Sequence, residues 1–250
     1  MKRAVLIICL SLFIGVLHAT PDSLFQAGNT LYQEGKYEMA LETYGEIIQM
    51  GFETAGLYYN MGNAAYRSNN IGYAILYFEK TLKLDPSHED AANNLEFASR
   101  YRVDTFEEVP ELFIRTWIRS FFLLLPERAW SILSLTIFIL FISALLIYIF
   151  SRKLLLKKLG FFVSLIAFFL FILSFTGALK RHRSIINPEA AIILSPSVVV
   201  RSSPSDTGTE LFILHEGTKV KINEGLTGWQ NIRVIDGREG WITSDDFGSI

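Results

Sequence analysis

The sequence predicts a multidomain protein with three parts: an all-α helical-repeat head, a hairpin of two transmembrane helices and an all-β C-terminal domain. Three observations support this prediction. A motif recurs after 34 residues near the N-terminus, two uncharged apolar runs of 21 residues follow, and the segment after residue 190 alternates short β-rich runs with turn signals. Half of the 250 residues are hydrophobic, and the excess is concentrated in the two apolar runs.

The first 19 residues predict a signal peptide. Lys2 and Arg3 precede an uncharged run over residues 4–17, and the small residue Ala19 marks a plausible cleavage point. The run is too short for a comfortable membrane span, and an uncleaved anchor is the alternative. The only cysteine, Cys9, lies in this segment, so the mature chain would contain neither a disulfide nor a thiolate metal site.

Residues 130–150 and 159–179 are predicted to be transmembrane helices. Each is uncharged over 21 residues and would cover roughly 30 Å, the thickness of the hydrocarbon core. The loop between them, residues 151–158, carries four positive charges, which favours the cytoplasm. Because a signal peptide would export the head, both flanking parts are expected in the periplasm, with two spans in a bacterial inner membrane.

The linker before the first span, residues 102–129, contains an amphipathic stretch. Arg115 and Arg119 share one helical face, whereas Phe113, Trp117 and Phe121 lie on another. This pattern predicts a helix that lies in the membrane interface. A helix that packs against the repeats and closes them is the alternative. A shorter linker, residues 180–189, follows the second span.

The head contains two copies of one helical motif. Gly28 and Gly62 lie 34 residues apart, and the small residues Ala40 and Ala74 keep the same offset. This period, with small residues where paired helices meet, resembles the tetratricopeptide repeat (TPR). The resemblance covers residues 21–101 and implies a TPR solenoid. Its predicted parts are repeats at 21–54 and 55–88 and a capping helix from residue 89.

The resemblance to TPR domains implies a groove, lined by the first helix of each repeat, that binds extended peptides or partner helices. The predicted partner-binding residues are Phe25, Asn29, Tyr32, Tyr59, Asn63, Tyr66, Asn93 and Phe97. Their amides can hydrogen-bond a ligand backbone, and their rings offer contact area. Packing between helices, or exposure to water, is the alternative for each of them. Phe25 stands where carboxylate-gripping repeats have lysine, so no carboxylate clamp is predicted.

Residues 190–250 are predicted to form the all-β domain. Strand alternation places Val220, Ile222, Ile232 and Val234 on an inner face. Closely spaced short strands over this length favour a small barrel.

The motifs of this domain resemble those of bacterial SH3 domains. Residues 200–204 read Val-Arg-Ser-Ser-Pro, residues 214–220 fit L-x-x-G-x-x-V, and residues 240–242 read Gly-Trp-Ile. The resemblance implies an SH3-like barrel that recognises peptides or cell-wall material. The predicted ligand surface consists of Arg201, Trp229 and Trp241. The alternative is that one or both tryptophans belong to the core.

Charge and motif content narrow the classes of function. Residues 20–111 carry a net charge of −9, residues 112–183 of +9 and residues 184–250 of −4. The positive charge flanks the apolar runs, as in membrane segments, and neither soluble part has the basic face that nucleic-acid binding requires. No motif for catalysis, phosphate binding or metal binding is present, so neither an enzyme nor a cofactor is expected.

The order of signal peptide, paired repeats, hairpin and SH3-like barrel resembles the BatE-type proteins of the Bacteroides aerotolerance (Bat) operon. The resemblance implies other proteins of a Bat-type envelope complex as partners, in addition to the lipid bilayer, and a role in envelope integrity or stress tolerance. The first functional hypothesis is a periplasmic scaffold whose TPR groove binds partner proteins. The second is a cell-wall tether whose barrel binds peptidoglycan or peptide. A sensor that relays a signal through the hairpin is a third, more remote hypothesis.

Overall fold

The computed structural model describes residues 20–106, 113–186 and 190–250. Within these ranges the chain forms eight helices followed by seven β-strands. The chain divides into two compact units between Glu53 and Thr54. The predicted signal peptide lies outside the described residues, as do parts of both linkers, residues 107–112 and 187–189.

The first unit contains helices α1 (Pro21–Gln33) and α2 (Tyr37–Gln49). Thr20 and Ser23 cap α1 reciprocally. The Ser23 amide donates to the Thr20 hydroxyl at 3.2 Å, and the Thr20 amide donates to the Ser23 hydroxyl at 2.9 Å. The turn after α1 contains Gly35 at a φ of 78°, which glycine adopts without steric cost. The Thr20–Ser23 cap therefore marks the start of α1, and Gly35 marks the turn that follows the helix.

The two helices of this repeat meet at a glycine. A Cβ atom at Gly28 would lie 2.3 Å from the Tyr44 ring, so the ring occupies the space that a side chain would need. Tyr44 itself is buried. The small residue predicted at this position is thus required by a direct contact within the repeat.

The second unit begins with three further helices, α3 (Ala55–Arg67), α4 (Ile71–Leu84) and α5 (Glu89–Ser99). A Cβ atom at Gly62 would lie 2.6 Å from the Phe78 ring, so the glycine–aromatic contact recurs in this repeat. The turn between α3 and α4 uses Asn69 at a φ of 61°. His88 caps α5, because its Nδ1 accepts from the Ala91 amide at 3.2 Å.

The remaining helices are α6 (Phe113–Leu123), α7 (Glu127–Phe150) and α8 (Leu154–Ile186). α7 and α8 form an antiparallel hairpin. The rings of Phe138 and Phe171 lie 5.1 Å apart, and those of Tyr148 and Phe161 lie 5.6 Å apart. A Cβ atom at Gly160 would lie 2.8 Å from the Tyr148 amide nitrogen, so the absent side chain lets the two backbones approach closely.

Both helices of the hairpin are long and apolar enough to cross a membrane, over Glu127–Phe150 and Leu154–Arg183. The connection between them is shorter than the predicted loop 151–158, because α8 already begins at Leu154. Lys157 and Lys158 therefore belong to the first turns of α8. A lysine stem can lie along an apolar helix while its ammonium reaches water, so charge alone does not end the helix.

The strands form one antiparallel sheet with the order β3-β2-β6-β5-β4-β1-β7. The bounds are β1 (Ala190–Ile193), β2 (Ser197–Arg201), β3 (Glu210–His215), β4 (Lys219–Leu226), β5 (Trp229–Val234), β6 (Glu239–Thr243) and β7 (Phe247–Ser249). β3 and β7 are the two edges. The hydrogen-bonded sheet is therefore open, and the closure expected of a barrel is not found.

One face of the sheet forms a hydrophobic core. Val220, Ile232 and Val234 are buried there, and Ile222 packs against them, which confirms the inner face predicted from strand alternation. Phe106, from the segment after α5, packs against the same core. The core of the C-terminal sheet thus includes a side chain that precedes the helical hairpin in sequence.

In the second unit, α4 packs against the sheet. The Lys219 ammonium donates to both carboxylate oxygens of Glu79, at 2.7 and 2.8 Å. The Lys83 ammonium donates to the carbonyl of Ile250 at 2.7 Å. The repeat that precedes the hairpin and the sheet that follows it therefore share an interface with charged contacts.

Asp104 joins the segment after α5 to the sheet; we call residues 102–106 the strap. The Asp104 carboxylate accepts from the His215 amide at 2.7 Å and from the Thr218 hydroxyl at 2.7 Å, and it lies 2.8 Å from Nδ1 of the His215 ring. Burial alone would raise the pKa of Asp104, but these hydrogen bonds and the charge of the imidazole outweigh burial and hold the pKa below its ordinary value.

Candidate partner-binding surfaces

Amide and aromatic side chains of α3, the first helix of the second repeat, contact α5 and Tyr101, which lies just after α5. The Asn94 amide donates to the side-chain oxygen of Asn63 at 2.8 Å. The Tyr66 and Tyr101 rings lie 6.1 Å apart, edge to face. A hydrogen bond between their hydroxyls raises the pKa of Tyr66. Asn63 and Tyr66, both predicted as groove residues, are thus half-buried and bonded within the unit.

The more accessible part of this surface lies on α5 and just beyond it. Phe97 is 53% exposed, Tyr101 is 62% exposed, and Asn93 is exposed as well. Asn93 and Phe97, four residues apart, lie on one side of α5, and Tyr101 lies in the turn that follows the helix. The Arg100 guanidinium lies 4.9 Å from the centroid of the Phe97 ring and also pairs with Glu96 at 2.8 Å. We call Asn93, Phe97 and Tyr101 the α5 patch.

Tyr59, another predicted groove residue, packs against its neighbours. Its ring centroid lies 4.6 Å from the His88 ring and 6.2 Å from the Phe78 ring. Because His88 caps α5, Tyr59 supports the junction between the second repeat and that helix.

The three groove residues predicted in the first unit are half-buried and contact their own repeat. The Tyr44 hydroxyl donates to the side-chain oxygen of Asn29 at 2.8 Å. The Phe25 ring lies 6.0 Å from the Tyr44 ring, and the Tyr32 ring lies 5.2 Å from the Tyr37 ring. Each of the three therefore has a packing role inside the repeat.

Arg201, Trp229 and Trp241 lie on the outer face of the sheet. Arg201 is directly opposite Trp241 across β2 and β6. Trp241 is opposite Asn231 across β6 and β5, which places Trp229, two residues before Asn231, diagonally next to Trp241. Both tryptophans are half-buried, whereas Ile242, which points to the other face, is fully buried.

Hydrogen bonds fix the polar members of this outer face. The Arg201 guanidinium donates to the Gly208 carbonyl at 2.9 Å and lies 3.5 Å from the Glu210 carboxylate. The Asn223 amide donates to the side-chain oxygen of Asn231 at 2.8 Å. A polar and aromatic row therefore crosses four strands, and we call it the outer row: Arg201, Trp241, Asn231 and Asn223.

Four residues of these surfaces were not predicted from the sequence: Asn94, Tyr101, Asn223 and Asn231. Asn94 lies 34 residues after Asn60, so the repeat period itself could have found it. Tyr101 follows the end of α5, and Asn223 lies where the pairing of β4 and β5 shifts register. Periodicity indicates neither of these two positions.

Titratable side chains do not form a recognisable catalytic arrangement around Asp104. The Thr218 hydroxyl and the His215 ring both bond to the carboxylate, whereas a nucleophile in a triad bonds to the imidazole. Among residues 20–106, 113–186 and 190–250, no group of three or more His, Cys, Asp or Glu residues could hold a metal ion. The Asp104 cluster thus has the contacts of a structural connection.

Two segments match family models of the tetratricopeptide repeat, residues 21–50 and residues 55–88. The helical head is a TPR region. The matches cover α1 with α2 and α3 with α4, the two glycine–aromatic helix pairs. No curated protein matches the chain. Because stacked repeats of this kind present binding surfaces for other proteins, the TPR region indicates a role in protein–protein interaction.

Proposed function

We propose that the protein is a membrane-anchored scaffold of the bacterial envelope that binds a partner protein on its TPR region. The observation that carries this proposal is the match of both helix pairs to the TPR. The α5 patch supplies the contact area, because aromatic side chains are enriched at protein–protein interfaces. Asn29, Asn63 and Tyr66 are less suited to direct contact, since each is half-buried as well as bonded within its own unit.

The proposed anchor is the hairpin of α7 and α8. The start of α7 and the last turns of α8 lie side by side, because Glu127 and the His182 ring are 2.8 Å apart. Arg181 then donates to the carbonyl of Lys83, at the end of α4, at 2.6 Å. The contact of α4 with the sheet supports a topology in which the TPR region and the sheet lie on the same side of the membrane. Export by the predicted signal peptide would make that side the periplasm.

The finer assignment is a BatE-type protein with an SH3-like C-terminal domain, acting in a Bat-type envelope complex that supports aerotolerance. The order of parts in the sequence supports this assignment. The seven short antiparallel strands around one core are compatible with an SH3-like domain.

Detergent co-purification of the full chain from its own membranes, followed by mass spectrometry, tests the scaffold. The informative variant is Phe97→Ala with Tyr101→Ala. Phe52→Ala is a matched control, because Phe52 and Phe97 are each 53% exposed. We expect specific envelope proteins to co-purify with the wild type and the control but not with the double variant. Retention of the same proteins by all three forms would contradict binding at the α5 patch.

A second candidate function is a cell-wall tether that uses Arg201, Trp229 and Trp241 on the outer face of the sheet. The observation that favours it is the placement of two half-exposed indoles and a guanidinium on one face, which suits contact with sugars or peptides. The net charge of −4 in this part of the chain disfavours anionic wall polymers as ligands.

Sedimentation of the detergent-solubilised full chain with purified sacculi tests the tether. We expect the wild type and Ile235→Ala, which alters an exposed apolar side chain just after β5, to sediment. Trp229→Ala with Trp241→Ala would stay in the supernatant. A wild-type protein that remains wholly in the supernatant excludes the tether.

A further inference from the structure

An uncovered aromatic face runs along α6. Phe113 is 79% exposed, Trp117 is 78% exposed and Leu124, just after the helix, is 66% exposed. At 100° per residue Phe113 and Trp117 fall within one narrow sector of the helix, and Leu124 directly follows its last residue. Large rings are rarely left this exposed to water, so the face indicates a partner surface.

The position of α6 identifies what covers this face. The Phe121 and Phe122 rings lie 5.8 and 6.1 Å from the ring of Trp130, in the first turn of α7. The Trp130 indole N–H donates to the Phe122 carbonyl at 3.2 Å. α6 is thus fixed beside the end of the apolar hairpin. With the proposed anchor in a bilayer, this end would lie where hydrocarbon gives way to headgroups. A helix of 11 residues is about 16 Å long, too short to span the membrane itself.

Positive charge lies at the same level. The Lys180 ammonium lies 4.4 Å from the centroid of the Phe122 ring. Arg128 and Arg183 are exposed near the two ends of the hairpin at this side. Lipid phosphates are the anions found at this depth, and aromatic rings with basic neighbours are enriched there.

We propose that α6 lies along the membrane interface, with Phe113, Trp117 and Leu124 in contact with lipid. The inference rests on the proposed hairpin anchor and adds a second, peripheral contact with the bilayer. Lipid chains would cover the two rings and the side chain of Leu124. The helix would then set the angle at which the chain before α7 leaves the membrane.

Spin-label accessibility in phospholipid nanodiscs containing phosphatidylethanolamine and phosphatidylglycerol tests the proposal on the full chain. With Cys9→Ser as background, labels are attached at Phe113→Cys and Trp117→Cys. A third label at Ser120→Cys, an exposed small residue on the same side, leaves all the rings intact. Ile139→Cys, exposed in the middle of α7, reports hydrocarbon, and Tyr101→Cys, in the α5 patch, reports water.

Oxygen enters the bilayer, whereas a nickel chelate stays in water. We expect the three α6 labels to collide with oxygen readily and with nickel less often than the Tyr101 label does. Nickel collisions equal to those at Tyr101 would overturn the proposal, because the face would be in water. Suppression of both collisions would also overturn it, because protein, such as a second copy of the chain, would cover the face. Nickel access at Ile139 would instead refute the hairpin anchor.

Discussion

Replacing Asp104 with alanine should release the strap from the sheet. A hydrogen bond to a charged acceptor contributes about 1.5–3 kcal/mol, and Asp104 accepts such bonds from the His215 amide, the His215 ring and Thr218. The Asp104 side chain is 11% exposed and that of His215 is 35% exposed, so solvent screens the pair only in part. Because the three donors share one carboxylate, their contributions are not additive, and we expect a total loss of about 3 kcal/mol.

Hydrogen exchange of the full chain in nanodiscs, followed by mass spectrometry, measures this loss locally. A decrease of about 3 kcal/mol in the opening free energy corresponds to roughly a hundredfold faster exchange in peptides that contain the His215 amide. Glu96→Ala is the control, because its pair with Arg100 is exposed and contributes about 0.3–0.5 kcal/mol. Exchange around His215 that is equally fast in both variants would refute the assignment of the strap as a stabilising connection.

The same carboxylate gives a pH dependence with a defined sign. The pKa of Asp104 is lowered in the folded protein relative to the unfolded value of about 3.9. Its stabilising contribution is therefore complete above that value and is lost as the pH falls through the lower, folded-state pKa. Protection of the His215 amide should decrease in this acidic range in the wild type and show no such step in Asp104→Ala.

Two further predictions concern packing in the second unit. Gly62→Ala should destabilise the repeat by about 1–3 kcal/mol in denaturant unfolding, because the new Cβ would lie 2.6 Å from the Phe78 ring. Gly56→Ala, on the same helix with nothing within 4 Å of its Cβ position, should be neutral or slightly stabilising, and equal destabilisation by both would contradict the contact. Glu79→Gln should cost at most about 1 kcal/mol and make stability less sensitive to salt, because it removes a partly exposed ion pair with Lys219. An unchanged salt dependence would argue against that pair.

Local and periodic signals in the sequence account for much of the fold. The 34-residue offset of Gly28 and Gly62 locates the closest helix contacts, and strand alternation locates the buried face around Val220. The bonds of Asn29 and Asn63 could not be predicted in this way. A period tells which side of a helix a residue occupies, but its hydrogen-bond partner depends on the neighbouring element.

Contacts between residues far apart in the chain are the hardest to predict from the sequence. The Asp104–His215 contact joins residues 111 positions apart, and no motif marks either residue. The short strands and the SH3-like motifs predict a closed barrel, yet closure depends on pairing between β3 and β7, which are the two edges of the sheet. Hydropathy located both long apolar helices, but it did not indicate that α8 begins at Leu154, because lysines are compatible with a helix end.

The antiparallel pairing of α7 and α8 also changes the entropy of folding. Closing a flexible loop of about 110 residues between the strap and β3 would cost about 4 kcal/mol. The hairpin brings residues 55 positions apart into contact at Glu127 and His182, so the hairpin alone closes about half of this loop. It therefore raises the effective concentration of the C-terminal strands beside Phe106 and Asp104. During synthesis the repeats and the strap precede the C-terminal strands. Phe106 and Asp104 are therefore available for contact when those strands are made.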